Sequence, residues 1–435
     1  LVKQFKLPRI VSWLASAAVA ILPWSIHFSR VGFEGHLGSA LVLWSVVLLL
    51  KWRRPPDKLI NKFWLTTVTW LVSVLAFYAY FSVRFVWPVL FFSLFVLWWR
   101  EMWSSRVWLT VIMAGWLLAM IPMLRADFYQ ESNKLRLSAQ SVLRDDDRQH
   151  QANLMSLRAG NSRVSHLIFS QTTLLIRDLA INYTEHFDPE YLFDTGDENL
   201  RHGNGFTGLT WWVTAPFIVV GLAALWKKQK RILVFLTIWW LVGLLPAAVP
   251  REVPHALRSL NALPVLPMLT ALGVYYVWKN LKPWLGRTVV VLTFLILSFE
   301  VMSYAWHYFR IYPALSAEKW QDGYHQLAEY LAESNDEVDE VIVMIKDDRL
   351  FLYYLPVSGL DWADIQTTPT IAFKHYHLEN IWFEPEAIPD VMNPDSHTRI
   401  IVPVAKSQEI QAESNKKEVE IIYGQFGVPR FTVYE

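Results

Sequence analysis

The chain contains no cysteine. Disulfides, zinc–thiolate centres and cysteine nucleophiles are therefore excluded, and the redox compartment is left open. A surplus of one charge sign is also missing: 40 Lys and Arg stand against 39 Asp and Glu, a net charge of +1. That argues against nucleic acid as a partner, because neutralising phosphates takes a basic excess. The initiator methionine is missing too, the chain opening Leu-Val-Lys-Gln-Phe-Lys. Lys3, Lys6 and Arg9 ahead of an apolar run resemble a signal peptide, but no small-residue cleavage site follows and the run ends in Pro-Trp-Ser-Ile-His. The expectation is a cytoplasmic loop entering a membrane span, with the front of the protein lying upstream of Leu1.

What is present is apolar. The 435 residues are 53% hydrophobic and include 23 Trp, a composition that points to lipid. Nine runs approach span length: 10–26, 37–52, 63–80, 85–99, 107–124, 209–226, 232–249, 264–278 and 288–307. The connections Lys51–Lys58, Arg100–Arg106, Lys227–Arg231 and Lys279–Arg287 are short and basic, so they are placed in the cytoplasm with the opening segment. The turn His27–His36, the turn at Ser82–Arg84, the loop 125–208, the turn Pro250–Leu263 and the tail after Arg310 then face outward. Apart from His307, every histidine falls in an outer segment. Arg30, Arg84, Arg251 and Arg258 lie outside against the positive-inside trend, which suggests an anionic partner such as a lipid phosphate.

Three outer stretches concentrate ionisable groups. The first, Trp24 to His36, packs His27, Arg30, Glu34 and His36 into what reads as a turn at the membrane surface, where such groups are costly unless they face protein or water. The second runs from Asn182 to Gly205 and carries His186, Asp197, Asn199, Arg201 and His202 among aromatics and glycines, a plausible wall for a sugar. Asn182-Tyr-Thr184 also matches a glycosylation acceptor, though weakly. The third has Arg251, His255 and Arg258 at i, i+4 and i+7, which would set three donors on one helical face, and guanidinium groups suit phosphate oxygens. Ahead of these, Asn161–Ile181 shows an amphipathic helical pattern, and Arg144-Asp-Asp-Asp-Arg148 reads as a solvated charged face. No pair of histidines has the spacing of a dedicated metal site, so hydrogen bonding is favoured for them, with no cofactor assigned and a divalent cation left open.

Beyond Tyr312 the composition changes. An amphipathic helix over Leu315–Ser334, a strand over Glu340–Ile345, and Leu350–Tyr354, Arg399–Val404 and Val419–Tyr423 make an α/β pattern. The fold class is thus an α-helical polytopic membrane protein with a small extracytoplasmic α/β domain: 1–310 transmembrane, including the outer loop 125–208, and 311–435 accessory.

Four stretches carry a resemblance: Ser25–Leu37, Tyr80–Phe85, Glu185–His202 and Arg251–Pro264. With the topology they resemble membrane glycosyltransferases of the GT-C class, more narrowly the bacterial protein-mannosyltransferase and aminoarabinose-transferase superfamily. The resemblance implies inverting transfer of a sugar from a polyprenyl-phosphate donor to an acceptor protein, lipid or glycan outside the bacterial plasma membrane. It implies that Arg30 and Glu34 match an arginine followed by an acid in the family's catalytic region, with glutamate where aspartate is commoner. Arg84, Arg251, His255 and Arg258 would hold the donor phosphate, and His27, His36, His186, Asp197, Asn199, Arg201 and His202 would line the substrate site. The family's main catalytic acid, in its first outer loop, is expected upstream of Leu1. The alternatives are a transporter or flippase for a lipid-linked anion and a non-catalytic binding or assembly protein; neither explains why ionisable groups gather on one face and not at the membrane midplane.

Overall fold

The computed structural model describes residues 1–126, 142–143, 147–334, 338–345, 350–359, 376–378, 380–383, 397–408, 411 and 417–435. Arg144, Asp145 and Asp146 of the acidic run lie outside the described residues. The chain divides into two compact units, Leu1–Tyr312 and Pro313–Glu435.

The first unit is helical because apolar runs can enter a bilayer only with every backbone group satisfied within the segment. Its helices are α1 (Arg9–Ile21), α2 (Pro23–Val31), α3 (Glu34–Lys51), α4 (Leu59–Ala79), α5 (Val83–Leu97), α6 (Trp99–Met102), α7 (Arg106–Arg125), α8 (Arg148–Arg158), α9 (Arg163–Ile168), α10 (Gln171–Glu185), α11 (Ala215–Lys228), α12 (Lys230–Leu244), α13 (Val265–Asn280) and α14 (Pro283–Trp306). Among the described residues, six helical stretches are long and apolar enough to cross a membrane: Glu34–Lys51, Leu59–Ala79, Trp99–Met123, Lys230–Ala247, Leu260–Asn280 and Pro283–Trp320. A seventh results if α1 and α2, bent by 57° at Leu22, are one broken span. Pro23 causes the break, since it has no N–H to donate and clashes with the preceding turn.

Three local expectations change. The stretch Trp24–His36 is mostly the helix α2, and the chain turns only at Gly32, whose φ of 73° is left-handed. The run 209–226 is α-helical only from Ala215, because the N–H groups of Leu209 and Thr210 donate instead to Tyr191 O and Leu192 O. Asn161–Ile181 forms two helices, α9 and α10, each started by a serine whose side chain accepts from the first turn.

Contacts sort the connections to two ends of the bundle. At one end Arg53 pairs with Glu101, Arg231 reaches the same carboxylate at 3.4 Å, and Arg53 also donates to Gln4 O. Three of the four basic connections expected on one side, and the opening segment, therefore meet one another. In the core, α13 is enclosed, whereas α14 presents Phe294, Leu295, Phe299 and Met302 outward, as a lipid-facing helix does. Helices α11 and α13 touch backbone to backbone: a Cβ on Gly221 would lie 2.2 Å from Leu269 O, and one on Gly273 would lie 1.9 Å from Phe217 O.

The second unit holds a mixed sheet in the order β2-β3-β1-β4-β6-β5. The strands are β1 (Glu340–Val343), β2 (Tyr376–Leu378), β3 (Ile381–Phe383), β4 (Thr398–Pro403), β5 (Glu418–Tyr423) and β6 (Pro429–Tyr434), with β1 parallel to β3 and β4. Between β1 and β2, Leu350–Ser358 is a helix, and with Tyr324–Ser334 it covers a core of Leu327, Leu331, Val341, Val343 and Ile401.

Candidate functional site

At the other end of the bundle, the four stretches that carry the family resemblance converge. The indole of Trp24 donates to Ala256 O at 3.0 Å. Ser39, one turn into α3, donates to Leu260 O at 2.8 Å, and Gly35 sits against Leu257 and Tyr80. Asn261 donates to Ser82 Oγ at 2.7 Å, so the turn before α5 is tied to the same loop. Tyr191 and Ser259 join through their hydroxyls at 3.1 Å. The loop Pro250–Leu263 is the hub of all these contacts.

Its central feature is a buried carboxylate among histidines. Asp197 is 4% exposed; its Oδ2 accepts the N–H of Ala256 at 2.8 Å and its Oδ1 accepts the N–H of Asn199 at 2.9 Å. Asn199 repeats the device, its Oδ1 accepting the N–H of Arg201, so consecutive side-chain turns wind the loop around the acid. Gly203 closes it: a Cβ there would lie 2.3 Å from Asp197 O. His202 Nδ1 stands 3.7 Å and His255 Nδ1 4.0 Å from Asp197 Oδ2, with the two imidazoles stacked at 4.4 Å. His186 lies beneath, fully buried, accepting the N–H of His255 on Nε2 at 3.1 Å and donating from Nδ1 to Asn182 O at 2.9 Å.

Burial dominates the electrostatics. It pushes Asp197 up to about 7 despite the two N–H donors, with Glu252 and Glu198 adding repulsion. It pushes His186 down to about 4. Burial also lowers His202 to about 4, helped by the charges of Arg201 and Arg258, and drives His255 well below the ordinary imidazole range. At neutral pH the histidines are therefore uncharged, and the approaches of His202 and His255 to Asp197 are not ion pairs. The site pairs a carboxyl poised near neutrality with neutral imidazoles, a combination suited to proton transfer and ligation.

A second layer fixes the loop that carries His202. His27 Nε2 donates to Arg201 O at 2.9 Å, and its Nδ1 accepts from Tyr308 Oη at 3.2 Å. Tyr312 donates to Leu200 O at 2.6 Å, and His307 Nε2 donates to Asn204 O at 3.0 Å. His307 and Tyr312 reach these carbonyls, and Tyr308 reaches His27, from a stretch after α14 in which His307–Ile311 is a π-helical turn, the wide form that recurs at functional sites. Tyr304, Tyr308 and Tyr312 stack in one column beside His27.

The residues singled out by sequence fall into distinct places. Asp197, Asn199, Arg201, His202, His186, His255 and His27 are brought together. Arg258 is half-buried and acts electrostatically on both His202 and His255. The helix expected across Arg251, His255 and Arg258 does not form; bends and turns take its place, since Pro254 would remove a helical hydrogen bond. Arg251 is exposed and lines a cavity of about 310 Å³ with Val142, Arg148, Asp178, Ile181 and Asn182. Glu34 is exposed at the start of α3, next to Gly35, and His36 is half-buried in the same turn. Arg30 is exposed, its guanidinium over Tyr308 and Phe309; Arg84 lies over Phe77 and Phe81. Asn182 spends its amide N–H groups on Ala248 O and Pro250 O, which leaves the glycosylation match poorly placed for modification. Tyr308, Tyr312, Asn204 and Ser259 were not singled out in sequence; only the aromatic spacing Tyr304, Tyr308, Tyr312 could have flagged part of this set.

Sequence spacing offers no metal pair, yet Asp197, His202 and His255 present ligand atoms within 4.8 Å of one another. His255 Nδ1 is buried without a hydrogen-bond partner among the described residues, as expected of an atom with a ligand to meet. Tetrahedral zinc would need these atoms about 3.3 Å apart, closer than the 3.7 and 4.0 Å that separate Asp197 Oδ2 from the two imidazoles, so the set would have to contract around an ion. A scan against protein-family models gives no match for this chain, and a search of the curated proteins gives none either.

Proposed function

We propose that this chain is an integral-membrane glycosyltransferase of the GT-C class, which moves a sugar from a polyprenyl-phosphate donor to an acceptor at the membrane surface. The observation that carries the reading is the convergence of four distant stretches on one end of an apolar helical bundle. There they surround a buried carboxyl and neutral histidines with Arg201 and Arg258 alongside. A lipid-phosphate donor has its apolar chain in the bilayer and its charge at the surface, which matches apolar helices with Arg201 and Arg258 beside the cluster at their end.

In this mechanism Arg258 and Arg201 stabilise the phosphate leaving group, whose charge grows as the glycosidic bond breaks, so they lower the barrier more than they aid ground-state binding. Asp197 or the histidine pair moves the proton lost by the acceptor hydroxyl or amine. Glu34, beside the contact of Gly35 with Leu257, orients the acceptor. Asp197, His202 and His255 form a set that also fits a divalent cation, which would add electrostatic stabilisation at the phosphate when bound.

The test is sugar transfer by the full-length protein in nanodiscs, with polyprenyl-phosphate hexoses and pentoses as donors and polyprenyl monophosphate as a binding probe. Arg258→Ala and Glu34→Gln should each reduce transfer at least about tenfold, equivalent to about 1.4 kcal/mol of barrier. Near-normal transfer in both variants removes these assignments. Absence of both transfer and stabilisation by polyprenyl monophosphate overturns the reading.

A further inference from the structure

The helical hairpin of α8 and α9 is packed inside out. Its buried side chains are small or polar: Arg148, Ala152, Ser156 and Ser165, the two serines joined Oγ to Oγ at 3.1 Å. Its large apolar side chains point away from the protein, with Leu157 57%, Val164 64%, Leu167 75% and Ile168 51% exposed. A helix pair in water buries its leucines and shows its serines, because apolar burial drives the packing. Gly160 and Asn161, both left-handed, make the tight turn that brings the two apolar faces to one tip.

Charge points the same way. From Arg148 to Arg177 the sequence has no Asp or Glu, in a chain whose charges otherwise balance. Arg158 and Arg163 flank the tip, both exposed, while Arg148 and Arg177 are drawn to Asp178 on α10. The hairpin is also held at the end of a span: in α10, Tyr183 donates to Leu241 O near the end of α12, and Asn182 reaches Ala248 O. At a rise of about 1.5 Å per residue, α10 carries the hairpin no more than about 22 Å from that point.

We propose that the α8–α9 hairpin is a membrane-surface anchor, with Leu157, Val164, Leu167 and Ile168 dipping into an anionic bilayer and Arg158 and Arg163 held at the lipid phosphates. An apolar face rimmed by arginine and free of acids is the pattern of an interfacial helix, and arginine stems can cover apolar surface while their heads stay at the phosphates. The inference rests on the membrane-spanning helices and is independent of the transferase reading. The anchor would hold the outer loop, and with it the cluster at its far end, at a fixed height above the lipid.

Because the chain has no cysteine, single cysteines report cleanly. Leu167→Cys and Asn153→Cys, the latter at an exposed position of α8, would be nitroxide-labelled in the full protein reconstituted in phosphatidylcholine–phosphatidylglycerol vesicles. The label at 167 should favour collision with oxygen over an aqueous nickel chelate and lie about 5–10 Å below the phosphates, with the label at 153 in water. Nickel access at 167 equal to that at 153 overturns the anchor. So does spin–spin broadening at 167 that disappears on dilution with unlabelled protein, which would make the face a contact between copies. Arg158→Gln with Arg163→Gln should raise nickel access at 167 in these vesicles and leave it unchanged in pure phosphatidylcholine; no change in either overturns the assignment to anionic headgroups.

Discussion

The backbone N–H of His255 donates to Nε2 of His186 at 3.1 Å, and the other nitrogen of His186 donates to Asn182 O. Both ring positions are committed, so His186 is a neutral imidazole in one tautomer, and protonating it would set an N–H against an N–H. This single ring joins the end of α10 to the loop Pro250–Leu263. His186→Ala leaves the buried N–H of His255 without its acceptor, at a cost of about 1–3 kcal/mol. The melting temperature in detergent should fall accordingly. An unchanged value would show that this bond does not hold the loops together.

Acid should weaken the same site. Burial lowers His186 and His202 from 6.5 to about 4 and raises Asp197 from 3.8 to about 7. Between about pH 4 and 6.5, therefore, the unfolded chain protonates both histidines and the folded chain does not, whereas the folded chain keeps a proton on Asp197 that the unfolded chain has released. His255, also lowered, joins the histidine side. The unfolded state binds more protons in this window, so stability contributed by the cluster rises with pH. From about pH 6.5 to 7 only Asp197 still titrates, and its contribution runs the other way. The melting temperature should climb from about pH 4.5 to 6.5 and then level or dip, with a shallower climb in His202→Gln. A wild-type melting temperature that falls across that climb would contradict the burial of neutral histidines.

The layer behind His202 predicts coupling between distant residues. Tyr308 donates to His27, which donates to Arg201 O beside His202. Tyr308→Phe removes one hydroxyl from this relay and should cost about 1 kcal/mol. In a double-mutant cycle with His27→Ala, the two losses should fall short of additivity by about 0.5–1.5 kcal/mol, since the tyrosine acts through the histidine. Strict additivity would mean that Tyr308 and His27 stabilise the protein separately.

Much of this fold is legible in the sequence, for physical reasons that also mark the limits. Apolar runs such as Leu59–Ala79 declare themselves because a bilayer tolerates nothing else over that length. Strands such as Thr398–Pro403 are legible as short β-branched runs bounded by turn residues. The candidate site is legible as a composition: histidines, arginines and an aspartate in the right loops. Its geometry is not, because His255 meets Asp197 and His202 only through the long-range contacts of the loop Pro250–Leu263. Helical spacing misleads at Arg251, His255 and Arg258, where Pro254 decides against the helix. The four-residue spacing of Tyr304, Tyr308 and Tyr312 marks one column of rings, but the contacts of Tyr308 with His27 and of Tyr312 with Leu200 O span long stretches of chain and are not legible in it. Of the inside-out hairpin only α9 falls within an amphipathic pattern, Asn161–Ile181, while α8 does not; which face is buried is a tertiary fact.

The approach of α11 to α13 yields a last prediction, independent of function. Gly273 faces Phe217 O so closely that a Cβ would lie 1.9 Å away, and Gly221 faces Leu269 O in the same way. Both obstacles are backbone, which cannot rotate aside as a side chain can. Gly273→Ala must therefore push the helices apart along a contact that is among the most buried in the bundle. Overpacking of this kind costs about 1–3 kcal/mol, and the loss should be larger for Val than for Ala. Gly286, whose nearest obstacle to a Cβ is at 3.5 Å, serves as the control, and Gly286→Ala should leave the melting temperature nearly unchanged. If Gly273→Ala melted like Gly286→Ala, the two helices would have to pack less closely than the structure has them, and the enclosed position of α13 at the centre of the bundle would need revision.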